Sequence, residues 1–179
     1  MPNAIFVCEN MQSTKLPSLL KTARYQVAGA DAAINNGCVV VLGAKAANQR
    51  EVYLAGATTA ATDVVHIVDT PELIYSQETT QGLNNYTNAA GQLLRVRKPQ
   101  VGDHFAVSGR AITALNGVAP VVGNSIVTPA AGTLWTEIQA PVGGESVQCL
   151  IEESYVLGSE PIGGRQITMY SVVVTNVID

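Results

Sequence analysis

The side chains that could do chemistry are few and widely spaced. There are two histidines, His66 and His104, each inside a strand-like apolar run. A metal site needs a third ligand at a constrained spacing, and the chain has no His-x-His, Cys-x-x-Cys or Glu-x-x-His. Asp63 and Asp69 flank His66 and Asp103 abuts His104, which reads as strand ends meeting turns. Cys8, Cys38 and Cys149 sit in "AIFVC", "CVVVLG" and "VQCLIE". Free cysteine in such settings is among the most buried residue types. The odd count argues against a disulfide framework and for synthesis in a reducing cytoplasm. Cys149 has no helix N-terminus beside it to lower its thiol pKa. Neither a Gly-x-Ser-x-Gly elbow nor a phosphate loop occurs. Glu152 and Glu153 are adjacent, so on a regular strand they point to opposite faces and cannot share a proton. Trp135, the only tryptophan, reads as core or interface packing. The expectation is a protein that is not an enzyme, with no catalytic, metal or cofactor residues. A hydrolase site assembled in space around His66 or His104 is the competing idea.

The elements that would position such residues are strands. Short runs rich in Val and Ile, bounded by Gly, Asn and Pro, are the all-β signature. "CVVVLGA" (38–44), "REVYLAGA" (50–57), "DVVHIVD" (63–69), "QLLRVRK" (92–98), "DHFAVSG" (103–109) and "RAITAL" (110–115) read as strands. So do "NSIVTP", "TLWTEIQ", "ESVQCLIEESYVL" and "RQITMYSVVVTNV", the last as a strand buried on two sides or lying at an interface. Asn35-Asn36-Gly37, Asn116-Gly117, "PVGGE" and "PIGGR" mark turns. Helix is scarce: in "STKLPSLLKTA" (13–23), Pro17 allows only a first turn or a bend. Thr70-Pro71-Glu72 looks like a helix start. The expected class is all-β, a sandwich or a barrel, with a long ordered loop insertion from about 71 to 91, anchored by Leu73, Ile74, Tyr75, Leu83 and Tyr86. Residues 1–24 read either as an N-terminal arm that adds to a neighbour or as a first strand of the same sheet. Residues 25–179 form a single β-rich domain.

Bulk composition narrows the function. Of 179 residues, 47% are hydrophobic and only 13% charged, against about 25% charged in a typical soluble domain. A neutral surface carries less repulsion against packing on another protein. The net charge of −4 argues against nucleic acid, since duplex binders show a basic stripe. The densest basic group is Arg95, Arg97 and Lys98. Arg95 and Arg97 share a strand face, which a solvated surface explains as well as a phosphate site. The longest apolar run is about seven residues, far below the ~20 that span a bilayer. No membrane partner and no signal peptide are expected.

Four pieces in order, "NGCVVVLG", "TPELIY", "GLNNYTNAAGQLLRVR" and "VGDHFAVSG", resemble tailed-phage capsid decoration proteins, also known as cement or head fibre proteins. They cover roughly the middle half of the chain. The resemblance implies a β-rich virion protein, made in the host cytoplasm. It would sit on the outside of an icosahedral head and bind the major capsid protein at subunit junctions. It also implies a homo-oligomer, dimer or trimer. The contact residues expected are Leu73, Tyr75, Leu83, Tyr86, Arg95 and Arg97, with the basic groups facing acidic shell subunits. The alternative is a carbohydrate-binding adhesin or fibre-base protein.

Overall fold

A computed structural model describes residues 3–71, 86–141, 143–157 and 166–178. Among these residues, thirteen strands and a few one-turn 3-10 segments make up the regular structure. The strands are β1 (Phe6–Asn10), β2 (Leu20–Val27), β3 (Ala30–Asp31), β4 (Val39–Lys45), β5 (Val52–Gly56), β6 (Val65–Val68) and β7 (Leu94–Arg97). They continue as β8 (His104–Ser108), β9 (Ile112–Thr113), β10 (Ser125–Val127), β11 (Trp135–Ile138), β12 (Val147–Leu157) and β13 (Ile167–Val177). The all-β expectation holds. The expected loop insertion falls largely on residues 72–85, outside the described residues.

Two sheets form. One has seven strands in the order β1-β8-β13-β12-β10-β11-β9. The other has six, β3-β2-β5-β4-β6-β7, and β7 pairs back onto β2. That last pairing, with Leu20 opposite Arg97 and Ala23 opposite Leu94, closes β2, β5, β4, β6 and β7 into a ring. The ring includes one parallel pair, β2 with β5. Sandwich and barrel, left open by the sequence, are thus both present: a small ring packs against a sheet.

This explains why Val39 and Val40 of β4 and all of β6, Val65–Val68, are buried at successive positions rather than at alternate ones. Val40 and Val68 join Ala23, Tyr25, Ala55, Leu94 and Val96 in a cluster enclosed by the ring. Val39, Val65 and Ile67 point the other way and join Phe105, Val107, Trp135, Cys149, Ile151 and Val172 between the layers. Successive strand residues face opposite sides, and here both sides are dry. Fully burying one such Val, Ile or Phe contributes about 1.5–3 kcal/mol. Trp135 is fully buried, and its indole N–H donates to the Gly37 carbonyl at 3.0 Å. Gly37 has φ +80, and a Cβ there would meet Val107 Cγ1 at 3.3 Å, so the predicted turn needs glycine for both reasons.

Residues 3–11 pack within this chain. β1 pairs antiparallel with β8 of the same chain, and Ile5, Phe6 and Met11 are buried. The described part of residues 1–24 holds β1, two 3-10 turns and the start of β2 in the other sheet, which fits the first-strand reading. Its apolar side chains Ile5, Phe6 and Met11 are buried in this chain's own core. The stretch 13–23 does contain a 3-10 turn at Pro17–Leu19, but it continues directly as β2.

Candidate functional site

The chemistry-bearing residues are dispersed. His66 lies on β6, 8% exposed, and its buried Nδ1 has no hydrogen-bond partner. Burial, with Lys98 and Lys21 nearby, lowers its pKa to about 4 and keeps it neutral. His104 is on the other sheet, with Nδ1 3.4 Å from Glu152 Oε2, both partly exposed. Burial pushes the Cys38 thiol up to about 11 and raises that of Cys149 further, so both remain protonated. Cys8, expected to be buried, is only partly so; its sulfur lies 3.5 Å from Thr14 Oγ1. Among the described residues no three His, Cys, Asp or Glu side chains converge as a metal group. The register shifts between Ile151 and Glu153, so Glu152 sits at a bulge rather than on a regular strand.

A denser polar array lies where the chain leaves β6 and returns towards β7. Asn36 is buried and reads the backbone of Thr70 twice: its Nδ2 donates to Thr70 O at 2.9 Å, and Thr70 N donates to its Oδ1 at 3.1 Å. Buried Asn88 donates through Nδ2 to Ile34 O and to Asn36 Oδ1, both at 3.0 Å. Its backbone forms an isolated bridge with Ile34. The Tyr86 hydroxyl donates to Asn88 Oδ1 at 3.2 Å and accepts from Gln92 Nε2 at 3.1 Å. Asn3 Nδ2 donates to Tyr86 O at 3.0 Å. The residues on either side of segment 72–85 are therefore held together by neutral amides.

Beside this array Asp69 receives two guanidiniums. Arg95 donates through Nη2 to Asp69 Oδ2 at 2.8 Å and through Nε to Asp69 O at 2.7 Å. Arg97 Nε also donates to Asp69 Oδ2, and its Nη1 donates to Ser13 Oγ at 3.0 Å. The shared strand face expected of Arg95 and Arg97 is real, but the solvated reading fails for Arg97, which is 6% exposed. Its face turns towards the space between the layers, and Asp69 and Ser13 neutralise and cover it. Arg95 remains partly exposed. It borders a shallow groove of about 390 Å³ with Leu20, Thr22, Thr70, Pro71 and Leu93. Of the six expected contact residues, Tyr86, Arg95 and Arg97 thus gather at one end of the ring. Leu73, Tyr75 and Leu83 lie outside the described residues, as does the Glu72 end of the proposed helix start.

The loop at 115–124 was not singled out in the sequence. The Glu137 side chain, 2% exposed, points beneath residues 115–124. Its Oε2 accepts from Leu115 N at 2.8 Å, and its Oε1 accepts from Val121 N and Asn124 Nδ2, both at 2.8 Å. Burial opposes the ionised form, but these three donors together outweigh it and hold the carboxyl below its usual range. Its only sequence signal is one acid inside the apolar strand "LWTEIQ". Asn36, Asp69, Thr70 and Asn88 were also missed as a group, because nothing in their spacing reveals that they meet.

The chain matches no known protein family, no curated protein and no solved structure.

Proposed function

We propose that this chain is a structural virion protein that decorates and stabilises the outside of an icosahedral phage head, binding at junctions between major capsid subunits as a homo-oligomer. The observation that carries this is the buried amide array that joins Thr70 and Asn88 through Asn36, beside the partly exposed Arg95. Fixing the base of a segment before binding lowers the ordering cost of association. Partly exposed Tyr86 and Arg95 are of the residue types that dominate binding energy. Arg97 acts from beneath, holding Asp69. The motif resemblance and the low charge support the same reading. Several modest contacts per oligomer would give tight attachment through avidity.

The test is sedimentation of the purified protein with phage heads, counting bound copies per major shell subunit. Saturation at a fixed symmetric ratio is expected. Absence of binding, or a few copies per particle, would turn the reading to a tail or fibre component.

A further inference from the structure

We propose that Asn116 is a site of spontaneous covalent modification, at which the folded protein converts an asparagine to aspartate and isoaspartate, and that Asn36 is protected from the same change. Asn-Gly occurs twice in the chain, at Asn36-Gly37 and Asn116-Gly117. The pair carries a latent reaction, because glycine has no side chain to shield its nitrogen and lets the backbone turn freely. The Gly nitrogen gives up its proton and attacks the Asn Cγ. A bond forms between them, the Cγ–Nδ2 bond breaks, and ammonia leaves with the proton. The five-membered imide that results takes up one water at either carbonyl. Opening on one side gives aspartate. Opening on the other gives isoaspartate, in which the backbone runs through the former side chain. Nothing is oxidised or reduced, and water is the sole co-reactant.

The two pairs share this chemistry but not their surroundings. Asn36 is 1% exposed. Its Nδ2 donates to Thr70 O, and its Oδ1 accepts from Thr70 N and Asn88 Nδ2. The attacking nitrogen is engaged as well, since Gly37 N donates to Val68 O at 2.8 Å. The Gly37 carbonyl holds the indole N–H of buried Trp135. Neither reacting group can move there without opening the core.

Asn116 and Gly117 are both exposed. Among the described residues the Asn116 amide has no hydrogen-bond partner. A Cβ on Gly117 would meet nothing within 4 Å, so the glycine has room to swing. Asn116 has φ 56 and ψ 18. At that ψ the Gly117 nitrogen lies beside the nitrogen of Asn116 and away from Cγ, so the turn must open before the ring can close. The bonds that resist opening are Gly117 N to Ala114 O and Val118 N to Leu115 O, both at 3.4 Å. Both are longer than ordinary backbone bonds. The reaction draws on such local openings, and their free energy separates the two sites. The product also bears on the loop. Its carboxylate stands one residue from the Leu115 N–H that Glu137 accepts, and isoaspartate lengthens the backbone between the pins at Leu115 and Val121.

The test is incubation of the folded whole chain in mildly alkaline buffer. Digestion in acid and fragmentation mass spectrometry then place the mass gain of amide-to-acid conversion. The same protein unfolded in urea and the variant N116Q are run beside it. In the folded protein Asn116 is expected to convert at least about 100-fold faster than Asn36, which must first lose several net hydrogen-bond energies. Unfolded, the two sites should convert at similar rates, which would show that structure protects Asn36. N116Q should abolish the gain at this position, since its longer side chain closes a larger ring more slowly. Equal rates at the two sites in the folded protein would overturn the proposal. So would a folded protein in which neither site converts while both convert when unfolded.

Discussion

The two ordered loop bases solve one problem with different chemistry. Each must give partners to backbone groups that leave a strand and run beneath a surface. At the base of segment 72–85 the partners are the neutral side chains of Asn36 and Asn88, each giving and accepting bonds. Beneath 115–124 a single carboxylate accepts three bonds from one loop. Amides can satisfy donors and acceptors together, which suits two chain segments that meet and must both be read. A carboxylate only accepts, which suits one loop whose N–H groups converge. The carboxylate bonds are individually stronger, because the acceptor is charged. They are also conditional on pH, and the amide bonds are not.

The largest expected effect comes from the charge beside the amide array. Asp69→Ala takes away the carboxylate bonded to buried Arg97, leaving Ser13 and the more distant charge of Asp103, and removing one partner of a buried ion pair costs about 3–5 kcal/mol. Urea denaturation should show that loss. A loss below about 1 kcal/mol would mean that water reaches Arg97 and that the array does not depend on this pair.

Asn88→Ala comes next. It removes three hydrogen bonds, to Ile34 O, to Asn36 Oδ1 and from the Tyr86 hydroxyl, while each of those groups keeps another partner. At about 0.5–1.5 kcal/mol net for each bond, a loss of about 2–3 kcal/mol is expected. Amide exchange should quicken at Thr70 and Ile34 and stay unchanged at Val121. Equal quickening in both loops would erase the distinction between them.

Glu137→Gln keeps the shape and removes the charge, and its loss should be about 1–3 kcal/mol at neutral pH. Here pH separates the two regions. The folded pKa of Glu137 lies below its unfolded value, so its stabilisation is complete above the unfolded value, about 4.3. It fades as pH falls through the folded value. The stability gap between wild type and Glu137→Gln should therefore shrink in acid, while the gap for Asn88→Ala stays constant. Parallel behaviour of the two gaps would refute the assignment of the charge as the pin.

Tyr86→Phe should have the smallest effect, about 1 kcal/mol, because its hydroxyl is only partly buried and water can replace its bonds. If Tyr86 belongs to a contact surface, head binding should fall more than the melting temperature does.

Much of this was legible in sequence because it is local. The β-branched runs, the Asn-Gly turn at 116–117 and the burial of Trp135 follow from residue type and period. β2 was missed because "LKTARYQV" follows a Leu-rich, Pro-broken stretch, and its alternation (Ala23 and Tyr25 inward) is masked by Lys21 and Arg24. Arg97 was misread as solvated because alternation says which residues share a face, not what lies against it. Ser13, which covers Arg97, is 84 residues away in the chain.

The sequence alone determined that this protein is built of strands, that it is sparsely charged and that its cysteines are not a disulfide framework. Each follows from composition or from a period of two residues. Only the tertiary structure decided that five strands close into a ring through a β2–β7 seam and one parallel pair, that β1 pairs with β8 of the same chain, and that Asp69 and Glu137 are buried anchors. The reason is physical. Strand pairing and buried polar partnership join residues tens of positions apart, and their free energy exists only once the layers have come together.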